Sequence, residues 1–207
     1  LSKQSQFDNV GLVLVDEQHR FGVTPRALAA SKGTSPHILT MTATPIPRTV
    51  ALTQYGDLDL SWLNELPSGR LPVKTWVVPE SKRAAAYSWI NSQLSTNSQL
   101  FVVCPFIEES ETLATVKSAK AEYIKLEKIF SQHKLGLLHG KLKAKDKEQV
   151  LAKFRAGEYP ILVSTPIVEV GLDIATADVM IIEGAERFGL AQLHQLRGRV
   201  GRSDRQS

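Results

Sequence analysis

Short, wholly apolar runs separated by stretches of helical periodicity constrain this chain more than any other feature of its sequence. Residues 10–15 form a continuous apolar run rich in β-branched side chains. That is the pattern of a parallel strand covered on both faces. The run ends at Asp16-Glu17. A second run, residues 37–42, ends at Ala43-Thr44-Pro45. Pro45 and Pro47 mark the start of a short helix reaching to about Tyr55. A turn-rich stretch, residues 66–72, then breaks the pattern. Beyond it, strands are predicted at residues 73–78, 100–104, 135–139, 161–165 and 179–182, and helices at 81–94, 111–130 and 143–155. The middle helix carries Leu113, Val116, Tyr123, Leu126 and Phe130 on one stripe, and Gly157 stops the last. Strands alternating with helices specify an α/β fold with mostly parallel, doubly wound sheets. In such sheets the chemistry sits at the carboxyl ends of the strands. The expected organisation is residues 1–65, a linker at 66–72, and a second domain at 73–207.

The composition, 43% hydrophobic and 22% charged over 207 residues, excludes wholesale disorder. Cys104 is the one cysteine, so the chain builds neither a disulfide framework nor a cysteine-based zinc site. This fits a reducing cytoplasm, and Cys104 reads as a buried small hydrophobe. The apolar runs are far shorter than the roughly 20 residues needed to span a bilayer. The start, Leu1-Ser2-Lys3-Gln4, has no initiator Met and no signal core, so the chain is expected to be a piece of something longer. Net charge is +4, and it concentrates at one end. Arg187, Arg197, Arg199, Arg202 and Arg205 face one acid, Asp204, from residue 187 onward.

Four clusters carry candidate chemistry. Asp16-Glu17-Gln18-His19 ends an apolar strand with two adjacent carboxylates. One suits a Mg²⁺ ion held through water and the other the polarising of an attacking water; a solvated acidic turn is the plain alternative. Thr42-Ala43-Thr44-Pro45 places two hydroxyls at a strand end. Ser164-Thr165 with Glu169-Val170-Gly171-Leu172-Asp173, and His139-Gly140, offer hydroxyls and backbone N–H groups to a phosphate backbone, or form ordinary loops. Gln195 and Arg197-Gly198-Arg199-Val200-Gly201-Arg202 interleave arginines with glycines. Such arginines stabilise charge on a transferring phosphoryl group, or make a basic loop for nucleic acid. The lysines at 141, 143, 145 and 147 read as a solvated helix start or as phosphate contacts. Trp62, Trp76 and Trp89 read as packing residues, and His37, His133 and His194 as surface or packing residues.

Taken in order, the four clusters resemble motifs II, III, V and VI of the superfamily 2 helicase and translocase motors. The resemblance covers nearly the whole chain and extends to the RecG family, ATP-dependent DNA helicases that remodel branched DNA. The carrying stretches are residues 16–23, 41–49, 65–73, 103–111 and 188–203. The related Mfd family shares much of motifs III and VI, but Gln18 and residues 65–73 favour RecG. Pro166 stands where that family commonly has Thr.

The resemblance implies RecA-like parallel sheets of the P-loop NTPase type. Residues 1–65 would be the C-terminal part of motor domain 1, and 73–207 most of motor domain 2, truncated at its C-terminus. It implies ATP and Mg²⁺ as cofactors. Asp16 would help hold Mg²⁺, Glu17 would act as general base, and Arg199 and Arg202 would reach the γ-phosphate. Gln18, His19, Asp173 and Gln195 would line the nucleotide, with Gln18 and Gln195 sensing its state. Thr165, Gly171, His139 and Gly140 would touch DNA, and Thr42 and Thr44 would couple the domains. The partner implied is branched duplex DNA, at replication forks and Holliday junctions. No membrane is implied; the motor would be monomeric, cytoplasmic and nucleoid-associated. No G-x-x-x-x-G-K-S/T occurs in the sequence, so the phosphate-cradling loop is expected upstream. Two alternatives stay open: an Mfd-type translocase coupling repair to transcription, and a non-enzymatic nucleic-acid-binding remnant.

Overall fold

Leu100, Phe101, Val102 and Val103 point alternately into two apolar layers, and that alternation organises the larger of the two units into which the chain divides, Leu1–Ser61 and Trp62–Ser207. The computed structural model describes residues 10–16, 36–42, 59–63, 65, 71–105, 112–166, 177–201 and 206–207.

In the smaller unit, β1 (Leu12–Val15) and β2 (His37–Thr40) pair in parallel, with Val15 opposite Thr40. The expectation of a strand buried on both faces is corrected here. Leu12 and Leu14 are 58% and 59% exposed. An apolar run fixes that a strand wants cover; which faces receive it is decided by the layers packed on the sheet. The expected helix from Pro47 lies outside the described residues.

In the larger unit, β3 (Leu100–Val103), β4 (Leu135–Leu138), β5 (Ile161–Ser164) and β6 (Val179–Ile182) form a parallel sheet in the order β4-β5-β3-β6. The helices are α1 (Arg83–Leu94), α2 (Thr112–Ile129), α3 (Ala144–Arg155) and α4 (Leu190–Arg197). Strand residues alternate faces with period two. Leu100, Val102, Ile161 and Val163 therefore meet Ile90 and Leu94 of α1 and Ala119 and Leu126 of α2. On the other face Phe101, Val103, Leu138 and Leu162 meet Leu151 and Phe154 of α3 and Leu196 of α4. The central strands β3 and β5 are wholly buried, as a sheet covered on both faces requires. The stripe expected on α2 is seen where its side chains are described: Leu126 and the following Phe130 are buried and Tyr123 is half-buried.

Gly157 ends α3 as expected. It sits at φ +76°, its N–H donates to Phe154 O, and the Glu158 N–H donates to Lys153 O. These two bonds satisfy carbonyls the helix leaves open. Two expectations fail. Residues 73–78 are extended but form no strand: the Lys74 N–H donates to Ser207 O at 2.8 Å, while Trp76 and Val77 are 78% and 98% exposed. β-propensity makes an extended segment, but a strand needs a neighbour to complete a ladder. Nor do Trp62, Trp76 and Trp89 pack inside; all three are substantially exposed.

Candidate functional site

Strands β4, β5 and β6 of the larger unit deliver polar residues to the carboxyl edge of the sheet, where the fold leaves its working groups. Leu138 of β4 is opposite Ser164 of β5, so His139 and Thr165, the next residue of each, lie side by side. The Thr165 N–H donates to Leu138 O at 3.2 Å and continues the ladder past the strand end. Thr165 is 1% exposed, and its Oγ1 has no hydrogen-bond partner; the Nδ1 of His139 is likewise buried and unpartnered. Burial, then the charges of Lys120, Lys147 and Lys141, hold the His139 imidazole below its ordinary pKa. Removing the ring from water disfavours its cation, and three nearby ammonium groups add to the effect. Gly140 follows in the turn closed by the Leu142 N–H to His139 O.

At β6 the edge carries Glu183, whose N–H donates to Val103 O at 2.9 Å. Its carboxylate pairs with Arg83 at the start of α1. Arg83 also donates to the Tyr87 hydroxyl at 2.8 Å and lies 3.8 Å from Glu122 of α2. The hydrogen bond to Glu183 raises the Arg83 pKa and keeps the guanidinium charged. Cys104, at the end of β3, is 1% exposed, and burial, then the carboxylates of Glu122 and Glu183, push its thiol up to about 12. It is the inert packing residue its sequence context suggests.

After β6, Gly184 at φ +58° turns the chain, and α4 begins with the Gln192 Oε1 accepting the Gly189 N–H. Gln195 lies in α4 and Arg199 in the turn two residues past its end. Both are half-buried, while Leu196 and Val200 beside them lie in the core. Gly201 has a physical reason: it sits at φ +69°, and a Cβ there would meet the Val73 Cγ2 at 2.8 Å. Gly201 is thereby seated against the extended segment at residues 73–78.

In the smaller unit Asp16 follows β1, and Thr42 stands two residues past the end of β2, both at the carboxyl edge of that sheet. Asp16 is a hard oxygen donor suited to Mg²⁺. Among the described residues, no three His, Cys, Asp or Glu side chains gather to hold a metal by themselves. A Mg²⁺ that also takes phosphate oxygens of a nucleotide fits this donor set. Glu17, Gln18, His19, Thr44, Gly171, Asp173 and Arg202 lie outside the described residues. Sequence reading did not single out Arg83 and Glu183, or the approach of Lys120 and Lys147 to His139, because all four depend on contacts between elements distant in sequence.

The fold and these edge residues define the class, a RecA-like α/β lobe of the kind that helicase motors use. Residues 81–204 match the family described as the helicase conserved C-terminal domain, and the chain belongs to it. It is 52% identical to the ATP-dependent DNA helicase RecG of Synechocystis over 97% of its own length and 24% of that protein. It is 48% identical to RecG of Thermotoga maritima over 100% of its length and 26% of that protein. Among solved structures, RecG bound to a three-way DNA junction superposes with a TM-score of 0.71 at 45% identity, over 97% of this chain and 25% of that one. The chain spans about a quarter of the length of these relatives. No helix among the described residues is long and apolar enough to cross a membrane.

Proposed function

We propose that this chain is the part of a RecG-type, ATP-dependent DNA helicase that runs from motif II to motif VI. The intact motor would use ATP and Mg²⁺ to move on duplex DNA. It would remodel branched DNA, such as forks and Holliday junctions, in recombination and repair at the bacterial nucleoid. The reading rests on one observation: the chain is similar over nearly its whole length to RecG proteins, with the four motif clusters in order.

Bound ATP supplies the phosphoanhydride whose hydrolysis drives the motor. Asp16 would help hold Mg²⁺, and Glu17 would take the proton of the attacking water. Gln18, His19, Asp173 and Gln195 line the nucleotide. Arg199 and Arg202 meet the charge that develops on the γ-phosphate. Thr165, Gly171, His139 and Gly140 meet the DNA backbone, and Thr42 and Thr44 couple the two domains. The motor works as a monomer.

The test is Arg199→Ala in the full-length protein. Turnover should fall roughly 10³-fold or more, the scale of an arginine finger. The loss should fall on kcat rather than KM, because the charge appears in the transition state. Arg199→Lys should not rescue it, since an ammonium lacks the planar fork. Glu17→Gln should keep ATP and DNA binding and lose hydrolysis. Parental DNA-free turnover in the Arg199→Ala protein would move Arg199 from the nucleotide to the DNA.

A further inference from the structure

The segment that carries Gln195 and Arg199 leaves the sheet at Glu183, the residue after β6. The Glu183 N–H donates to Val103 O at 2.9 Å. Gly184, at φ +58°, turns the chain, and the Pro105 Cγ lies 3.1 Å from where its Cβ would stand. The Arg187 N–H then donates to Gly184 O and the Phe188 N–H to Ala185 O. Phe188, Leu196 and Val200 seat the remainder in the core. The Gly198 and Arg199 N–H groups close the end of α4 on His194 O and Leu196 O. A glycine in the left-handed region is the point where such a segment can pivot, so whatever holds Glu183 bears on the angle at which α4 leaves the sheet. Arg83 holds it. Its guanidinium pairs with the Glu183 carboxylate, joining the start of α1 to the end of β6. The guanidinium is fixed in turn by the Tyr87 hydroxyl at 2.8 Å and the Glu122 carboxylate at 3.8 Å. Arg83, Glu122 and Glu183 are all half-buried, which strengthens a charged pair over one in open water. Glu80, 3.9 Å from Arg83, is exposed and adds little.

We propose that Arg83 is a positioning residue for ATP hydrolysis: by clamping Glu183 it fixes the segment from Gly184 to Arg199 and so holds Arg199 in place for the γ-phosphate. The inference rests on the helicase reading of Arg199 and adds to it two residues, Arg83 and Glu183, that lie outside the four motif clusters. Arg83 touches no reacting group and acts through Glu183 alone. Apolar packing is non-directional; it seats α4 against the sheet without fixing its rotation. A guanidinium–carboxylate pair is directional and supplies the missing restraint. An arginine that meets charge developing in a transition state needs such a restraint, because its contribution falls away within about an ångström of the productive position.

The experiment measures DNA-stimulated ATP hydrolysis by the full-length protein, at a temperature where circular dichroism shows every variant folded. Arg83→Met and Glu183→Gln should each lower kcat by roughly 10- to 10²-fold, the scale of an ångström-sized misplacement. KM for ATP should stay near the parental value, because the restrained group acts in the transition state. Combining the two changes should cost no more than the larger alone, since both break one contact. In an Arg199→Ala background, Arg83→Met should cost nothing further. Arg83→Lys, which keeps a cation for Glu183, should recover part of the loss. Glu80→Gln is the control: it removes the exposed acid beside Arg83 and should leave kcat unchanged. Parental kcat in both Arg83→Met and Glu183→Gln would overturn the inference. So would a loss carried by KM, an equal loss in Glu80→Gln, or a loss of the same size with and without Arg199, which would make Arg83 a purely structural residue. Should Arg83→Met not fold, Glu183→Gln in the parental and Arg199→Ala backgrounds gives the same comparison. These outcomes leave the helicase reading intact, whereas parental DNA-free turnover in Arg199→Ala alone would overturn the placing of Arg199 at the nucleotide and the inference with it.

Discussion

His139 links charge, burial and pH at the scale of a single residue. Its folded pKa lies below the ordinary value of about 6.5 because burial, then Lys120, Lys147 and Lys141, disfavour the imidazolium. The unfolded chain therefore takes up this proton first as pH falls. The contribution to stability is fully present above about pH 6.5 and is lost as pH drops through the window below it. His139→Gln should flatten that part of the pH profile of thermal unfolding, and an unchanged slope below pH 6.5 would show that His139 does not titrate abnormally. The glycines argue at the same scale. Gly201 was legible as one of several glycines among arginines, but the 2.8 Å approach of Val73 to its absent Cβ joins residues far apart in sequence, and no local pattern contains it.

At the scale of elements, Arg83 ties α1 to the carboxyl end of β6 and to α2 through Glu183 and Glu122. It also lies over the Tyr87 ring, 5.5 Å from its centroid. Arg83→Met should keep much of the packing of the aliphatic stem and lose the charged hydrogen bonds. A hydrogen bond to a charged group contributes about 1.5–3 kcal/mol, so the melting temperature should fall by several degrees. Glu183→Gln, which leaves a neutral acceptor in place, should cost less. Equal melting temperatures for Arg83→Met and the parent would assign the network no stabilising role. α3 shows the opposite balance between local and distant causes. The Gly157 stop was readable from sequence, because a helix end is set by a few adjacent residues; α4 was not among the helices read from the sequence. The extended segment at residues 73–78 was misread as a strand because strand pairing is not a local property.

For the molecule as a whole, one consequence is catalytic. The purified 207-residue chain should not hydrolyse ATP at a motor-like rate, because its sequence holds no loop to grip the β- and γ-phosphates. A coupled assay with and without duplex DNA reads this directly. DNA-stimulated turnover at the rate of an intact helicase would refute it and would place a phosphate grip elsewhere in these residues.

The sequence by itself determined the class of fold, since apolar runs of strand length alternating with helical stripes can bury themselves in few ways other than a parallel α/β layer structure. It also determined the order of the motif clusters and hence the family, because those residue types and their spacing are properties of the chain itself. The tertiary structure alone decided which runs find a ladder partner, which tryptophans meet solvent, and which charges meet across elements. Glu183 is an ordinary residue after a strand until Arg83 of α1 reaches it. Periodicity and propensity act over a few residues, whereas burial and electrostatics act over distances that only the folded chain sets.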